Sequence, residues 1–405
     1  MYVRFSTITT ISSHENGDSQ RALYYTVRAC VPYGVRVARR TLHELEQGKH
    51  GSTHGANVSN ALALWRLLPS RAPLGPFAPA KETHMPINIP DGLPAKKILH
   101  EERIFALEEE VAERQEIRPL KVAILNLMPT KIETETQILR LISKSPLQVS
   151  CDFMRVSTHK ATHVSQDHLV KFYDTFDSFA DKNYDGLIIT GAPVEQMDFE
   201  DVDYWDELCG IIDWSQEHVL STMYLCWGAM AGLWHLYRIP KKQLGAKLFG
   251  VFPQRLCDEY NFLTNGFDEV HYMPHSRHAA IDTNELARHP ELHVLSEGFT
   301  SGPAIIATAD FHEVFVTGHF EYGRDTLSDE FWRDFHKGLP IRLPENYFPD
   351  DNPESQPIFT WRAHANLLYR NWLNWVYQMT PYDLDLIPQT IRQLHADADG
   401  MVDKF

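Results

Sequence analysis

Short, continuously apolar runs alternate with amphipathic stretches from Pro119 onward, and this restricts the possible folds more than any other feature of the chain. The apolar runs cover 121–127, 149–156, 186–190, 219–225, 303–307 and 314–317. Between them, 133–143, 201–214 and 228–237 carry apolar residues at helical spacing. Strands apolar on both sides and separated by helices indicate a largely parallel sheet covered on both faces. The expected fold class is therefore α/β. In such sheets chemistry gathers beyond the carboxyl ends of the strands.

One of those ends carries a cysteine. In Met223-Tyr-Leu-Cys-Trp-Gly-Ala-Met-Ala-Gly232 an apolar run delivers Cys226 to a turn, and small residues that can open a helix follow. This is the pattern of a nucleophile elbow, in which a sharp strand-to-helix turn exposes the attacking atom above the sheet. A helix N-terminus beneath the sulfur favours the thiolate, because unpaired N–H groups attract negative charge. A cysteine after a buried strand is also ordinary core filler, so the elbow alone decides nothing.

A second strand end changes the balance. In Phe315-Val-Thr-Gly-His-Phe-Glu-Tyr322 an apolar run ends in Gly-His-x-Glu. Two residues apart in extended backbone, His319 and Glu321 point to the same side. The carboxylate can hold one ring nitrogen and leave the other facing a nucleophile, so Cys226, His319 and Glu321 form a candidate thiol triad. The turn Thr190-Gly-Ala-Pro193 lies at a third strand end.

Bulk properties exclude other classes. A net charge of −16 over 405 residues argues against a nucleic-acid partner. No apolar run is long enough to span a bilayer. The cysteines (Cys30, Cys151, Cys209, Cys226, Cys257) are few, odd in number and lack CxxC spacing, which suits a reducing cytoplasm and offers neither a disulfide framework nor a zinc site. No HExxH pair occurs, and His275-Ser-Arg-His278 lacks an acidic or thiolate partner, so no metal is expected. Residues 1–84 hold ten basic and five acidic residues, whereas 28 basic and 49 acidic residues follow, a net of −21. With a Pro-rich stretch at 69–79 and no sustained periodicity, 1–84 is read as a disordered or non-native extension. The aromatic stripe over 363–379 reads as core packing or a subunit contact. Residues 387–405 read as a polar, loosely held C-terminal tail.

From Met85 to about Leu386 the chain resembles the MetA-type homoserine O-acyltransferases. The strings that carry the resemblance are Met85-Pro-Ile-Asn-Ile-Pro-Asp91, Asn126-Leu-Met-Pro-Thr-Lys-Ile-Glu-Thr-Glu-Thr-Gln137, Cys226-Trp-Gly-Ala229, Pro274-His-Ser-Arg277, Thr317-Gly-His-Phe-Glu-Tyr322, Asn346-Tyr-Phe-Pro349, Asn371-Trp-Leu-Asn374 and Thr380-Pro-Tyr-Asp-Leu384. It implies one acyltransferase domain over 85–386 with a flavodoxin-like sandwich of the class I glutamine amidotransferase-like type. It also implies a cytoplasmic enzyme of methionine biosynthesis and a homodimer, with L-homoserine and an acyl-CoA as substrates and no permanently bound cofactor.

The same resemblance places the acyl group on Cys226, the proton acceptor at His319 and the catalytic glutamate at Glu321. Lys247, Ser276 and Arg333 fall at substrate-contact positions, and a planar guanidinium at Arg333 suits the α-carboxylate. Glu195, in Gly191-Ala-Pro-Val-Glu-Gln196, matches the position that sorts donors: glutamate accompanies acetyl-CoA, glycine succinyl-CoA. A carboxylate there would repel the terminal charge of succinyl, so acetyl-CoA is the expected donor and succinyl-CoA the alternative. The backbone N–H of Trp227 and one from Gly191 or Ala192 are the expected oxyanion donors. The triad by itself also fits a glutamine amidotransferase or cysteine hydrolase.

Overall fold

The structure is a computed structural model that describes residues 9–12, 21–24, 30–31, 34–35, 87–89, 92–101, 106–108, 118–158, 166–258 and 260–402. The chain divides into two units, 1–80 and 81–405. In the first, the described residues are two short antiparallel pairs, Thr9–Ser12 with Arg21–Tyr24 and Cys30–Val31 with Gly34–Val35. The expectation of an extension over 1–84 otherwise falls outside the described residues.

The second unit runs β1 (Ile87–Ile89), α1 (Ala95–Glu101), β2 (Ala106–Glu108), β3 (Leu120–Leu125), α2 (Lys131–Ile142), β4 (Val149–Arg155), α3 (Gln166–Phe172), β5 (Tyr173–Thr175) and β6 (Tyr184–Ile189). It continues with α4 (Trp205–His218), β7 (Val219–Leu225), α5 (Trp227–Tyr237), β8 (Lys241–Leu256), β9 (Val270–Ile281), α6 (Thr283–Leu286), β10 (Leu292–Gly298), β11 (Gly302–Thr308) and β12 (Glu313–Val316). Helices α7 (Thr326–His336), α8 (Arg362–Met379) and α9 (Ile387–Val402) follow.

All twelve strands join one sheet in the order β9-β8-β10-β11-β12-β7-β6-β3-β4-β1-β2, with β5 also paired to β4. From β12 to β2 every pairing is parallel. From β9 to β12 every pairing is antiparallel. The mostly parallel α/β sandwich expected from the apolar runs is therefore present, with an antiparallel extension that those runs did not announce. Strands β8, β9 and β10 went unpredicted because buried residues in them are interrupted by exposed or half-buried ones. The stretch Lys241-Lys-Gln-Leu-Gly-Ala-Lys247 holds no buried residue and offers no continuous apolar signal.

Pleating divides the core into two layers. On β6, Leu187 and Ile189 face Leu208 and Ile211 of α4 and Met230 and Leu233 of α5. Ile188 faces the other way, toward the layer of Ile138 and Leu139 of α2 and Leu368 and Trp372 of α8. The aromatic stripe of α8 is thus core. Trp372 is fully buried and its indole N–H donates to Ser221 Oγ at 2.9 Å. Gly186 permits this approach, since a Cβ there would lie 2.8 Å from the indole ring. Trp372→Ala is expected to destabilise the fold by about 3–5 kcal/mol through transfer and cavity costs, measured as a lowered denaturant midpoint.

The C-terminal segment corrects the expectation of a loose tail. Residues 387–402 form α9, with Ile387 and Ile391 buried and Leu394 packed against the same core. Their i, i+4, i+7 spacing supplies an apolar stripe that the polar residues around it obscured. His395 Nδ1 also meets Asp310 Oδ2 at 2.6 Å.

Candidate active site

Three neighbouring parallel strands, β12, β7 and β6, end at the same level, and the loops beyond them build the site. Strand β7 ends at Leu225 and α5 begins at Trp227, so a single residue turns the corner. Cys226 does so at φ 49° and ψ −111°, a conformation that costs a non-glycine residue about 1–3 kcal/mol and survives where the surroundings enforce it. The Cys226 N–H donates to Val316 O at 2.7 Å, tying the elbow to β12. On the β6 side Gly228 lets α5 sit against the sheet: a Cβ there would stand 2.7 Å from Thr190 O. Gly191 closes the third side, where a Cβ would lie 3.3 Å from Cys226 Cβ and 3.7 Å from His319 Cε1.

His319 is buried and held from three directions. Its N–H donates to Pro274 O of β9 at 2.9 Å. Its ring stacks on Tyr322 with centroids 4.1 Å apart, and Nδ1 meets Glu321 Oε1 at 2.6 Å. With Nδ1 committed to the carboxylate, Nε2 is the nitrogen left for Cys226. Burial alone would strip the ring of its proton. The charge of Cys226 and that of Glu321 outweigh burial, each reinforced by a hydrogen bond, and the imidazole stays protonated well above its ordinary range. The sulfur and the ring line the same cavity, and a hydrogen bond between them is among the causes that raise the ring's proton affinity.

Behind this triad lies a buried polar layer that the sequence motifs did not expose. Arg277 donates to the carbonyls of Ala279 and Ser301, and its Nε reaches His275 Nδ1 at 3.4 Å. Burial pulls this guanidinium down to about 10, while the Cys226 charge acts to raise it. Burial, then Arg277 and His319, push His275 well below its usual range, so it is neutral.

The remaining candidates line a cavity of about 560 Å³ that opens onto Cys226 and His319. Gly191, Ala192, Glu195, Lys247, Ser276 and Arg333 all reach it. Trp227 does not; its indole is buried, and its main-chain N–H stands at the start of α5. Glu321 stands behind His319. The substrate-contact candidates meet at a residue that sequence reading missed, Glu330 of α7. Lys247 Nζ donates to Glu330 Oε1 at 2.5 Å, and Ser276 Oγ lies 2.9 Å from both carboxylate oxygens. Arg333 Nη2 approaches Glu330 at 3.7 Å, while its Nε and Nη2 donate to Asp334 at 2.7 and 2.9 Å. The signal was available: Glu330 precedes Arg333 by three residues, which puts both on one face of a helix.

Glu195 sits half-buried on the loop after β6, and Gln243 Nε2 of β8 donates to its carbonyl at 2.8 Å. Among the described residues no group of three or more His, Cys, Asp or Glu side chains is placed to hold a metal ion. No helix among them is long and apolar enough to cross a membrane.

The family described as homoserine O-succinyltransferase matches residues 86–382. A homoserine O-acetyltransferase of Bifidobacterium adolescentis is 65% identical over 78% of this chain and 93% of its own length. One from Clostridium acetobutylicum is 53% identical over 74% of this chain and all of its own. Among solved structures, a glutamine amidotransferase of Thermotoga maritima is 12% identical and covers 64% of this chain and 99% of its own, at a TM-score of 0.43, and no conclusion rests on it.

Proposed function

As the chain belongs to the homoserine O-succinyltransferase family, we propose that it carries an acetyl group from acetyl-CoA to the hydroxyl of L-homoserine through a thioester on Cys226. The observation that carries this reading is that Cys226 and His319, the latter held by Glu321, line one cavity with Glu195, Lys247, Ser276, Glu330 and Arg333.

In the first half-reaction the Cys226 thiolate attacks the acetyl carbonyl. The oxyanion takes the N–H of Trp227 and one from the Gly191–Ala192 turn. Collapse expels the coenzyme A thiolate, which takes the proton from His319 and leaves as the thiol. One thioester replaces another, so the step is close to balanced in energy. It also changes the base. Once the sulfur is acylated its negative charge is gone, and burial now acts on His319 with one fewer opposing charge. The ring is then neutral and accepts the homoserine hydroxyl proton as that oxygen attacks the thioester. Collapse of the second intermediate releases O-acetyl-L-homoserine and restores the thiolate–imidazolium pair. Glu321 keeps Nδ1–H oriented and offsets the positive ring in both halves.

For the acceptor, the Arg333 guanidinium and Lys247 suit the α-carboxylate, and Glu330 is the anion available to the α-ammonium. A glutamate at 195 opposes a second carboxylate in a partly dehydrated pocket, which favours acetyl over succinyl. Succinyl-CoA remains the second reading, because the family's description names it. Glu195→Gly is expected to move the acetyl-to-succinyl ratio of kcat/KM toward succinyl by about 10–100-fold; an unchanged ratio removes the role given to Glu195.

The direct test mixes the protein with acetyl-CoA alone and measures its intact mass. An acetyl adduct on the peptide containing Cys226, discharged by homoserine and not by serine, is the expected result. Discharge by water or glutamine hydrolysis instead would favour the hydrolase reading. A cytoplasmic location, in keeping with a free thiol nucleophile, and a homodimer belong to the same proposal; light scattering of the purified protein checks the second.

A further inference from the structure

We propose that the cavity running along α2, next to the catalytic pocket, holds the pantetheine arm and nucleotide of the acyl donor. This inference rests on the acyl-CoA reading and adds to it the part of the protein that grips the carrier rather than the acyl group.

The first argument is room. The catalytic cavity of about 560 Å³ takes homoserine and an acetyl group. Coenzyme A is several times larger than either, and ligands of that size are mostly enclosed by their sites. The adjoining cavity is about 1100 Å³ and shares Thr130, Glu133 and Tyr322 with the catalytic one, so the two lie side by side.

The second argument is charge. From residue 85 on the chain is strongly acidic, yet this cavity gathers Arg140, Lys144, Arg324 and Arg362 on its walls. The charges are also graded. The acids Glu133 and Asp329 border both cavities, where the uncharged thioester and the start of the arm would lie, and Glu321 and Asp325, next in sequence to the shared Tyr322 and Thr326, border the second. Arg140 and Lys144 border only the second one. Seven residues along α2 take the chain from Glu133, which borders both cavities, to Arg140, a rise of about 10.5 Å. Phosphates carrying several negative charges are matched there by guanidinium groups, which bind them in a planar, two-pronged manner.

The third argument is the platform beside those cations. The Arg362 guanidinium lies 5.4 Å from the centre of the Phe359 ring, and both line the cavity. An aromatic face next to a guanidinium plane is a surface on which a purine stacks without regard to its hydrogen-bonding edge.

The test compares acetyl-CoA with S-acetyl-N-acetylcysteamine, a thioester lacking both nucleotide and phosphates, in the wild-type chain, R362A and the R140A/R362A pair. Arg362 is exposed, so its variant is expected to fold, which circular dichroism checks. The kcat/KM advantage of acetyl-CoA over the truncated donor is expected to fall by about ten-fold in the single variant and further in the pair, as charge-assisted contacts to phosphate are lost. Competitive inhibition by 3′,5′-ADP should weaken in parallel. An advantage that stays unchanged in the pair, or that the wild-type chain never shows, overturns the assignment. Absence of any acetyl adduct on Cys226 of the wild-type chain is a different result, and it removes the donor reading itself.

Discussion

Cys226→Ala is expected to lower acyl transfer by at least about 10⁴-fold, since removing the nucleophile of a unit that acts together costs most of the catalytic effect at once. The variant should form no acetyl adduct with acetyl-CoA. Folding should be retained: the side chain is small, and the elbow is held by backbone contacts, the N–H to Val316 O and the packing of Gly228 and Gly191. Alanine also tolerates the positive φ no worse than cysteine. Turnover at wild-type rate would exclude an acyl-cysteine route and leave only direct attack of homoserine on the donor, for which His319 alone would serve as base.

Glu321→Gln is expected to lower kcat by about 10²–10⁴-fold, the range for losing effective acid–base work by a positioned imidazole, and its pH profile tells orientation from charge. Glu321 raises the proton affinity of His319. Acylation of the free enzyme needs the imidazolium beside the thiolate, so it persists up to the folded-state pKa of His319, well above 6.5, and fails as pH rises through it. Without the carboxylate's charge that value falls, and the alkaline limb of the acylation burst moves to lower pH. A reduced burst with an unmoved limb would mean that Glu321 only holds the ring in place. Stopped-flow release of coenzyme A thiol across pH measures both quantities.

The parallel half of the fold was legible because each buried strand is a continuous apolar run, and the triad because Cys226 and His319 each follow such a run. The antiparallel half was not, since β9 buries alternate residues along much of its length, the first half of β8 buries none, and Lys241, Lys242 and Lys247 break the pattern. That gap hid the reason Lys247 and Ser276 belong together: they come from adjacent strands and meet through Glu330, on a helix 83 residues after the first and 54 after the second. Arg277 was visible within Pro274-His-Ser-Arg277, but nothing in its spacing says that it is buried beneath the nucleophile. The α9 stripe of Ile387, Ile391 and Leu394 was present in the letters and outweighed by the polar residues between them.

The pairing of Glu330 with Lys247 and Ser276 bears on how the enzyme lets go. An empty pocket already neutralised from within offers an arriving zwitterion an exchange of partners rather than a net gain of attraction. The amino acid leaves bearing the same ammonium and carboxylate with which it entered, because esterification alters only its hydroxyl. If the amino acid does part lysine from glutamate, the two close on each other again when it departs, and egress exposes no orphaned ion.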